Sequence, residues 1–331
     1  MRSVFGLITV ALAGLASAGT VVWDGRFNEF SSSTDLEKWS WGNQVGPYQY
    51  YIHGSKSVTS YVNLSPNYKN PADGASKQGV KITIDPTALW NSDMWRTELI
   101  PQTTANLGTG TLYYHFSMKK SNTNAPNPNY EHQVNFFESH FTEMKYGWIN
   151  GNPQGPDNNL RWFVGGQSKW NVDWVADVWH NFAYEINFST NQVSLWHSSG
   201  AAPLVKVAGP FGASTSTNSA DWHLGVLRLP NRQGGANDQA AEDWYFSGVY
   251  VESGSLTTGF TGGSVDPVPS STISSTTRPI TSTTIPITTV PTTTPTTTST
   301  TTVVVPTTTW TPTPTPTQEP PANCAGKWSQ W

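Results

Sequence analysis

Short runs in which apolar and polar positions alternate recur through the first 250 residues. Alternation with a period of two is typical of β-strands, whose successive side chains point to opposite faces of a sheet. Turn-forming residues, among them Asn191, Gly165-Gly166 and the segment 231–237, separate many of these runs. No long stretch has the 3.6-residue period of an amphipathic helix, so the pattern predicts an all-β sandwich with extended binding loops. The predicted strands are Ser57–Leu64, Gly79–Ile84, Ser92–Ile100, Thr111–Met118, Tyr130–Phe141, Asn159–Val164, Trp179–Phe188, Gln192–His197, Trp222–Arg228 and Trp244–Glu252.

The first residues have the order of a secretory signal peptide. Met1-Arg2 precedes the apolar run Val4–Leu15, and the small residues Ala16-Ser17-Ala18 follow it. We therefore expect residues 1–18 to be a cleaved signal and the product to be secreted and extracellular. Two sequons, at Asn63 and Asn187, are predicted N-glycosylation sites in that compartment.

The composition changes after the predicted folded domain, residues 19–256. Residues 257–321 are dominated by Thr, Pro and Ser, which predicts a disordered linker because such a segment cannot bury a core. The last residues, Asn323–Trp331, resemble the opening of a fungal family 1 carbohydrate-binding module but lack its further cysteines. Residues 322–331 are therefore interpreted as a truncated remnant of such a module.

Composition excludes several classes of function. Cys324 is the only cysteine, so the domain has no disulfide, thiolate zinc site or cysteine nucleophile. The formal net charge is −4 and only 12% of residues are charged, which argues against nucleic acid as a partner. No run approaches the roughly 20 apolar residues of a membrane span, so no membrane partner is expected either.

The run Tyr130–Phe141 contains the first candidate for chemistry. Regular alternation would place His132, Val134, Phe136, Glu138 and His140 on one face of a strand. A carboxylate among aromatic residues is costly unless it is partnered or used, so Glu138 is a candidate catalytic residue.

A second carboxylate lies upstream on the predicted strand Ser92–Ile100. Arg96 and Glu98 share one face of that strand, and Glu98 could meet Glu138 in one cleft. Two neighbouring carboxyl groups are expected to have diverging pKa values, which suits the acid and the base of glycoside hydrolysis. The alternative is a surface Arg96–Glu98 ion pair and a satisfied core carboxylate at Glu138.

Supporting residues are predicted around this pair. Arg96 would keep its neighbour ionised, and His140 would tune or orient Glu138. His223 and Arg228 are further candidates, although alternation puts these two on opposite faces of their strand. His132 is interpreted as a packed, hydrogen-bonded core histidine. A metal held by His132, Glu138 and His140 is not predicted, because no spacing supplies further ligands. No cofactor is expected.

Aromatic residues are numerous, with 16 Trp, 12 Tyr and 13 Phe. Indole and phenol rings can stack on sugar rings, whereas the alternative for each of them is a place in the core. The aromatic residues near loops are interpreted together as a carbohydrate groove. The candidates for substrate binding are Trp41, Tyr50, Trp95, Tyr146, Trp148 and Trp170.

Two motifs resemble glycoside hydrolase family 131. They are Trp95-Arg96-Thr97-Glu98-Leu99 and Val134-Asn135-Phe136-Phe137-Glu138-Ser139-His140, within a similarity that spans Thr20 to Gly254. The resemblance implies a β-jelly-roll catalytic domain that acts on β-1,3, β-1,6 and β-1,4 glucans with inversion. It implies that Glu98 and Glu138 are the catalytic pair, and the enzyme is expected to act as a monomer.

Two other classes of function stay open at this point. A polysaccharide lyase on a similar jelly roll would need cations and a Tyr or His base, which could come from Arg96, Arg161, Arg228, His140 and Tyr184. A non-catalytic carbohydrate-binding module would have no turnover, so its function would not depend on Glu98 or Glu138 as catalytic groups.

Overall fold

The computed structural model describes residues 19–44, 46–231 and 238–260. The predicted signal peptide, nearly all of the predicted linker and the module remnant lie outside these residues. The strands are β1 Thr20–Asp24, β2 Tyr48–Ile52, β3 Val62–Ser65, β4 Gly79–Ile84, β5 Trp95–Pro101, β6 Thr111–Lys119, β7 His132–Phe137, β8 Thr142–Tyr146, β9 Asn159–Val164, β10 Gln167–Asp173, β11 His180–Asn187, β12 Gln192–Ser199, β13 Val205–Gly212, β14 Trp222–Arg228 and β15 Glu242–Ser253. One short α-helix, α1, spans Val58–Tyr61, and 3-10 turns span Phe27–Glu29, Ser33–Lys38 and Pro66–Tyr68.

The strands form two antiparallel sheets. The eight-stranded sheet has the order β13-β12-β11-β6-β15-β4-β3, with β1 also paired to β15. The seven-stranded sheet has the order β10-β9-β8-β7-β14-β5-β2. The predicted all-β sandwich is confirmed, and its fold is a jelly roll. Among the described residues no helix is long and apolar enough to cross a membrane.

Period-two alternation builds the core between the sheets. On β4, Val80, Ile82 and Ile84 point inward, and Lys81 points to the outer face. Large aromatic residues fill the middle of the core, where Trp222 packs on Tyr114 with 5.1 Å between ring centroids. Each buried aromatic ring removes about 150–250 Å² from water, which lets a domain without disulfides rely on its core.

The predicted strand 130–141 exists, but it is shorter than predicted and its side chains do not keep one regular alternation of faces. β7 ends at Phe137, and its pairing with β14 shifts by one residue around Asn135, whose φ is 47°. The shift reverses the alternation, so His132 and Val134 face the interior and Phe136 faces outward. The chain then turns through Glu138 and reaches His140 at φ 51° before β8.

Some strands were not predicted. β10 and β13 lie at sheet edges and are largely exposed, so they lack a clear apolar alternation. The first half of the predicted strand Ser57–Leu64 is the short helix α1. These errors leave the central strands β5, β7 and β14, which hold the candidate site, in their predicted places.

Candidate active site

Strands β5, β14 and β7 lie side by side in the seven-stranded sheet. On β5, Trp95 and Leu99 belong to the core, and Arg96 and Glu98 point to the outer face. This regular alternation is the one predicted from the sequence. It places a fully buried carboxylate on the floor of the outer face, where β14 and β7 can supply partners.

Glu98 is bound on both carboxylate oxygens. Arg96 donates from Nε to Oε1 at 2.7 Å and from Nη2 to Oε2 at 2.8 Å, and the Nδ1 of His223 lies 2.5 Å from Oε2. Burial alone would raise the pKa of Glu98, but the hydrogen bonds from His223 and Arg96 outweigh it and the pKa is lowered. Glu98 is 0% exposed, so it is an ionised carboxylate without direct access to solvent.

Glu138 is the exposed partner of the same histidine. Its side chain is 71% exposed, and its Oε2 lies 3.1 Å from the Nε2 of His223. The hydrogen bond with His223 is the main cause that lowers the pKa of Glu138, and the charges of His223, Arg96 and His140 add to it. The backbone N–H of Glu138 donates to the carbonyl of Asp221 at 2.9 Å, which fixes the turn that carries it.

One imidazole therefore lies between the two glutamates. Burial would lower the pKa of His223, but its bonds to Glu138 and Glu98 raise it, which favours an imidazolium that donates to both carboxylates. The pKa values of both carboxyl groups are lowered, because a shared cation stabilises both ionised forms. The arrangement can pass a proton between an exposed and a buried carboxylate through one ring.

A stack of three rings holds this histidine in place. The ring of Phe136 stacks on His223 with 4.5 Å between centroids and on His140 with 5.0 Å, at interplanar angles of 15° and 8°. The Nδ1 of His140 lies 3.1 Å from Glu143, a buried carboxylate on β8. The side-chain hydrogen bond of His140 is therefore to Glu143 and not to Glu138.

Aromatic residues from loops and β2 form a wall beside the carboxylates. Tyr51 packs against Trp39, Trp41 and Trp90 with centroid distances of 5.7, 5.3 and 6.0 Å. Arg96 lies 5.2 Å from the centre of the Trp90 ring, which joins the wall to the buried ion pair. Burial first, and then the charges of Glu138 and Glu98, raise the pKa of Tyr51. Trp41 is 64% exposed and offers a free ring face to solvent.

Sequence reasoning missed part of this wall. Tyr51 and Trp90 belong to the loop-borne aromatic set that predicts a carbohydrate groove, but the six candidates for substrate binding include the adjacent Tyr50 instead of either, and Phe136 is not a candidate. Neighbouring residues on a strand face opposite sides, so only one of Tyr50 and Tyr51 can point outward. The period of two along β2 was the available signal. Tyr48 and Tyr50 are buried, and Gln49 and Tyr51 between them are partly exposed.

Five of the six predicted substrate-binding aromatics are buried or turned inward, and Trp41 alone lies in the wall. Trp95 lies under Arg228, and Tyr50 stacks on His53 at 4.1 Å. Tyr146 and Trp170 pack in or against the core, on Trp174 and Phe182 respectively. Trp148 is buried, and its indole N–H donates to the carbonyls of its own loop. Their shared property is a large apolar ring, which favours burial over sugar binding.

Arg228 is not part of the site. It faces the interior, where it donates to Glu242 at 2.8 Å and lies 3.6 Å from the centre of the Tyr130 ring. Glu242 also binds His132 at 2.7 Å, so His132 is a packed and hydrogen-bonded histidine. His223 and Arg228 do lie on opposite faces of β14. The reversed alternation of β7 also separates His132 from Glu138, so these residues cannot share a metal.

The two predicted glycosylation sites lie on the other side of the sandwich. Asn63 on β3 pairs with the outward-facing Lys81, and Asn187 alternates with the core residue Ile186 on β11. Both are partly exposed on the outer face of the eight-stranded sheet. The first tail residues bind the same face, where Thr257 donates to Glu252 and accepts from the N–H of Gly19.

Comparison with known proteins gives one consistent result. Residues 21–257 match the family model of the glycoside hydrolase 131 catalytic N-terminal domain. The chain is 61% identical to the GH131 β-glucanase catalytic domain from Podospora anserina, covering 74% of this chain and 100% of that one, with a TM-score of 0.71. It is 53% identical to the catalytic domain of the family 131 protein from Coprinopsis cinerea, with the same coverage and a TM-score of 0.69. The search of curated proteins found no match.

Proposed function

Because the chain belongs to glycoside hydrolase family 131 and is therefore a glycoside hydrolase, we propose that it is a secreted β-glucanase that cleaves β-1,3, β-1,6 and β-1,4 glucosidic bonds. The observation that carries the proposal is the imidazole of His223, whose Nδ1 is hydrogen-bonded to the buried Glu98 and whose Nε2 lies 3.1 Å from Oε2 of the exposed Glu138. The wall of aromatic rings beside Glu138, in which Trp41 is 64% exposed, supports a carbohydrate substrate, since ring faces stack on sugar rings.

In the proposed mechanism the two glutamates have different positions. Glu138 is the carboxylate that contacts the sugar or the attacking water, because its side chain is exposed. Glu98 acts through His223, whose ring it orients and whose positive charge it stabilises. Proton transfer by a positioned group of this kind contributes about 10²–10⁴-fold to rate.

Inversion is the proposed stereochemistry. The carboxyl groups of retaining enzymes lie about 5–5.5 Å apart, and those of inverting enzymes about 6.5–9.5 Å apart, leaving room for a water. The ring of His223 fills the space between Glu98 and Glu138, so the proposal of inversion rests on the resemblance to family 131 and not on this spacing. Proton NMR of the first anomer released from an oligosaccharide tests this directly, and initial release of the β-anomer would contradict it.

The lyase alternative is not favoured by the positions of its candidate residues. Arg96 is bound to Glu98, Arg161 to Asp157, and Arg228 to Glu242, so each cation already neutralises a carboxylate of the protein. Tyr184, a candidate base, is buried and donates to the carbonyl of Asn135. A uronate would therefore meet no uncompensated cation among these residues.

The decisive experiment compares the purified domain with its Glu98→Gln and Glu138→Gln variants on laminarin, pustulan and a soluble cellulose derivative. We expect both substitutions to remove at least 99% of reducing-sugar release and to leave oligosaccharide binding intact. Glu185→Gln is the matched control, because Glu185 is also paired with a cation but lies on the opposite sheet. Unchanged activity in Glu138→Gln would refute the proposal, and an ultraviolet-absorbing product would indicate a lyase.

Secretion is tested separately. Expression of the full chain in a fungal host should place the protein in the medium with Gly19 as its first residue, as read by N-terminal sequencing. A product retained in the cell with Met1 intact would contradict the predicted signal peptide.

A further inference from the structure

A cavity on the outer face of the eight-stranded sheet lies beneath both ends of the folded domain. It has a volume of about 140 Å³, with Gly19 and the segment 257–260 among its lining residues. His115 on β6 and Glu252 on β15 also line it. The cavity is separate from the candidate active site, which lies on the seven-stranded sheet.

Glu252 is a buried carboxylate in the lining of this cavity, and its residue is 1% exposed. Its Oε1 accepts a hydrogen bond from the N–H of Thr257 at 2.5 Å and lies 2.8 Å from the Nε2 of His115. Its Oε2 accepts from the hydroxyl of Thr257 at 2.7 Å. A carboxylate oxygen can accept two hydrogen bonds, so Oε2 has capacity for one more donor.

Glu252 lacks a permanent cation within the part of the chain that the structure describes. Its ion-pair partner there is His115, and burial lowers the pKa of that imidazole, so the ring is neutral at pH 7. The cation that lines the cavity, Arg26, forms its ion pair with Asp24 at 2.5 Å. A buried carboxylate without a compensating positive charge is costly, which indicates a missing partner.

Gly19 lies directly against this carboxylate. Its backbone N–H donates to the hydroxyl of Thr257 at 3.3 Å. A Cβ atom on Gly19 would lie 2.7 Å from the Oε2 of Glu252 and 2.3 Å from the carbonyl oxygen of Ser255, so no side chain fits there. The backbone nitrogen is two bonds from that Cβ position, a distance of about 2.5 Å, and therefore lies within about 5 Å of Oε2.

The predicted removal of residues 1–18 changes the chemistry of this nitrogen. In the uncleaved chain it is a neutral amide with one N–H. After cleavage it is an α-ammonium group with a positive charge and three N–H donors, enough for both Thr257 and Glu252. Opposite charges within about 4–6 Å favour each other's ionised forms.

We propose that the new α-ammonium group of Gly19 forms an ion pair with Glu252 and thereby holds β1 and the start of the linker on the eight-stranded sheet. Cleavage of the signal peptide would then complete a buried charge pair and stabilise the secreted form relative to its precursor. The inference rests on the predicted cleavage after Ala18 and is independent of glucan hydrolysis.

The test compares two forms of the chain 19–331 that differ only in the charge of the first nitrogen. One has a free α-amine, and the other is acetylated there by co-expression with an Nα-acetyltransferase, as verified by mass spectrometry. Acetylation removes the terminal charge. We expect it to lower Tm by about 4–8 °C, because one partner of a buried pair is left unpaired.

A double-mutant cycle assigns this effect to Glu252. In Glu252→Gln the two forms should have Tm values within about 1 °C of each other. The matched control is Glu185→Gln, because Glu185 lies on the same sheet and is paired with Lys206, and it should keep the full difference. Gly19→Ala should also abolish the difference, whereas Thr20→Ala, at an exposed position, should preserve it.

A second measurement does not depend on the stability of the variants. At pH 7 the α-amine of the folded wild-type chain should react with an amine-selective reagent about 10-fold more slowly than the same chain in urea. Equal rates, or equal Tm values of the free and acetylated forms, would overturn the ion pair. So would an acetylation effect of undiminished size in Glu252→Gln.

The activity of the two forms separates this inference from the proposed function. Their kcat on glucans should be equal, because the cavity and the candidate active site lie on different sheets. Absence of turnover in both forms would count against the proposed function and not against the ion pair. A secreted product whose first residue is not Gly19 would overturn the role of signal cleavage in forming the pair.

Discussion

Two buried histidines, one on each outer face of the sandwich, have similar surroundings and opposite electrostatics. His223 stacks on Phe136 and binds glutamates, and His115 stacks on Tyr250 at 4.3 Å and binds Glu252 at 2.8 Å. Burial disfavours the charged form of both imidazoles. Only His223 has a second carboxylate beside it, and the net effect is that its pKa is raised. The pKa of His115 is lowered.

The partners explain why one of these sites can be reactive. Glu252 accepts hydrogen bonds from both the N–H and the hydroxyl of Thr257, so the tail covers it. Glu138 has a 71% exposed side chain. A buried histidine–glutamate pair is therefore common to both faces, and the additional exposed carboxylate makes the His223 site suitable for acid–base chemistry.

The largest expected effect comes from removing that exposed carboxylate. Glu138→Gln should lower kcat by about 10²–10⁴-fold, since it removes the proposed acid–base group. It should also lower the pKa of His223, because one of its two anionic partners becomes neutral. Titration of the imidazole by NMR measures this shift, and an unchanged pKa would contradict the bridge between the glutamates.

Replacing the bridging ring should have the next largest effect. We expect His223→Gln to reduce kcat about 100-fold with a smaller change in KM, because the ring connects Glu98 to Glu138 without being exposed itself. A pH–rate profile completes the measurement. The variant should lack the part of the wild-type pH dependence that arises from the ionisation of His223. Wild-type rates in this variant would show that Glu98 acts by another route.

The three-ring stack predicts a moderate effect at a distance. His140→Asn preserves a residue that tolerates the positive φ but removes the ring that packs on Phe136. We expect kcat to fall about 10-fold while Tm changes little, because His223 becomes less well oriented. Phe136→Leu should have a similar effect on kcat. Loss of Tm without loss of kcat would assign the stack a structural role only.

The smallest effects concern stability, and the two histidines should differ in sign. A raised pKa means that the stabilisation from protonated His223 is present below about pH 6.5 and is lost as pH rises through the folded pKa. A lowered pKa means that the stabilisation at His115 is present above about pH 6.5 and is lost as pH falls. Melting temperatures of His223→Gln and His115→Gln between pH 5 and 9 measure both trends.

The expected difference in Tm between wild type and variant therefore shrinks with rising pH for His223 and grows with it for His115. His115→Gln should retain full glucanase activity, since His115 lies on the sheet opposite the candidate site. Parallel pH trends in the two variants would contradict the comparison.

The sequence predicted the fold and the residues on regular strands. Alternation placed Arg96 and Glu98 together because β5 is regular, and it separated His223 from Arg228 because β14 continues without a break. It failed on β7, where the shift at Asn135 reversed the faces. A bulge depends on pairing with a neighbouring strand, so alternation within one strand does not reveal it.

The aromatic residues were the least predictable part of the site. Trp41 and Trp95 have the same side chain, but Trp41 is exposed beside Tyr51 and Trp95 is buried under Arg228. Composition predicted carbohydrate binding and could not say which rings carry it, because burial and sugar stacking favour the same residue types.

Asn63, Asn187 and the Gly19–Thr257 contact share the outer face of the eight-stranded sheet. Bulky groups attached at any of these points would project away from a polysaccharide seated on the opposite sheet. This face is therefore the suitable side for attaching the domain to a bead or an electrode, because the proposed glucan-binding face would then remain exposed to the solution.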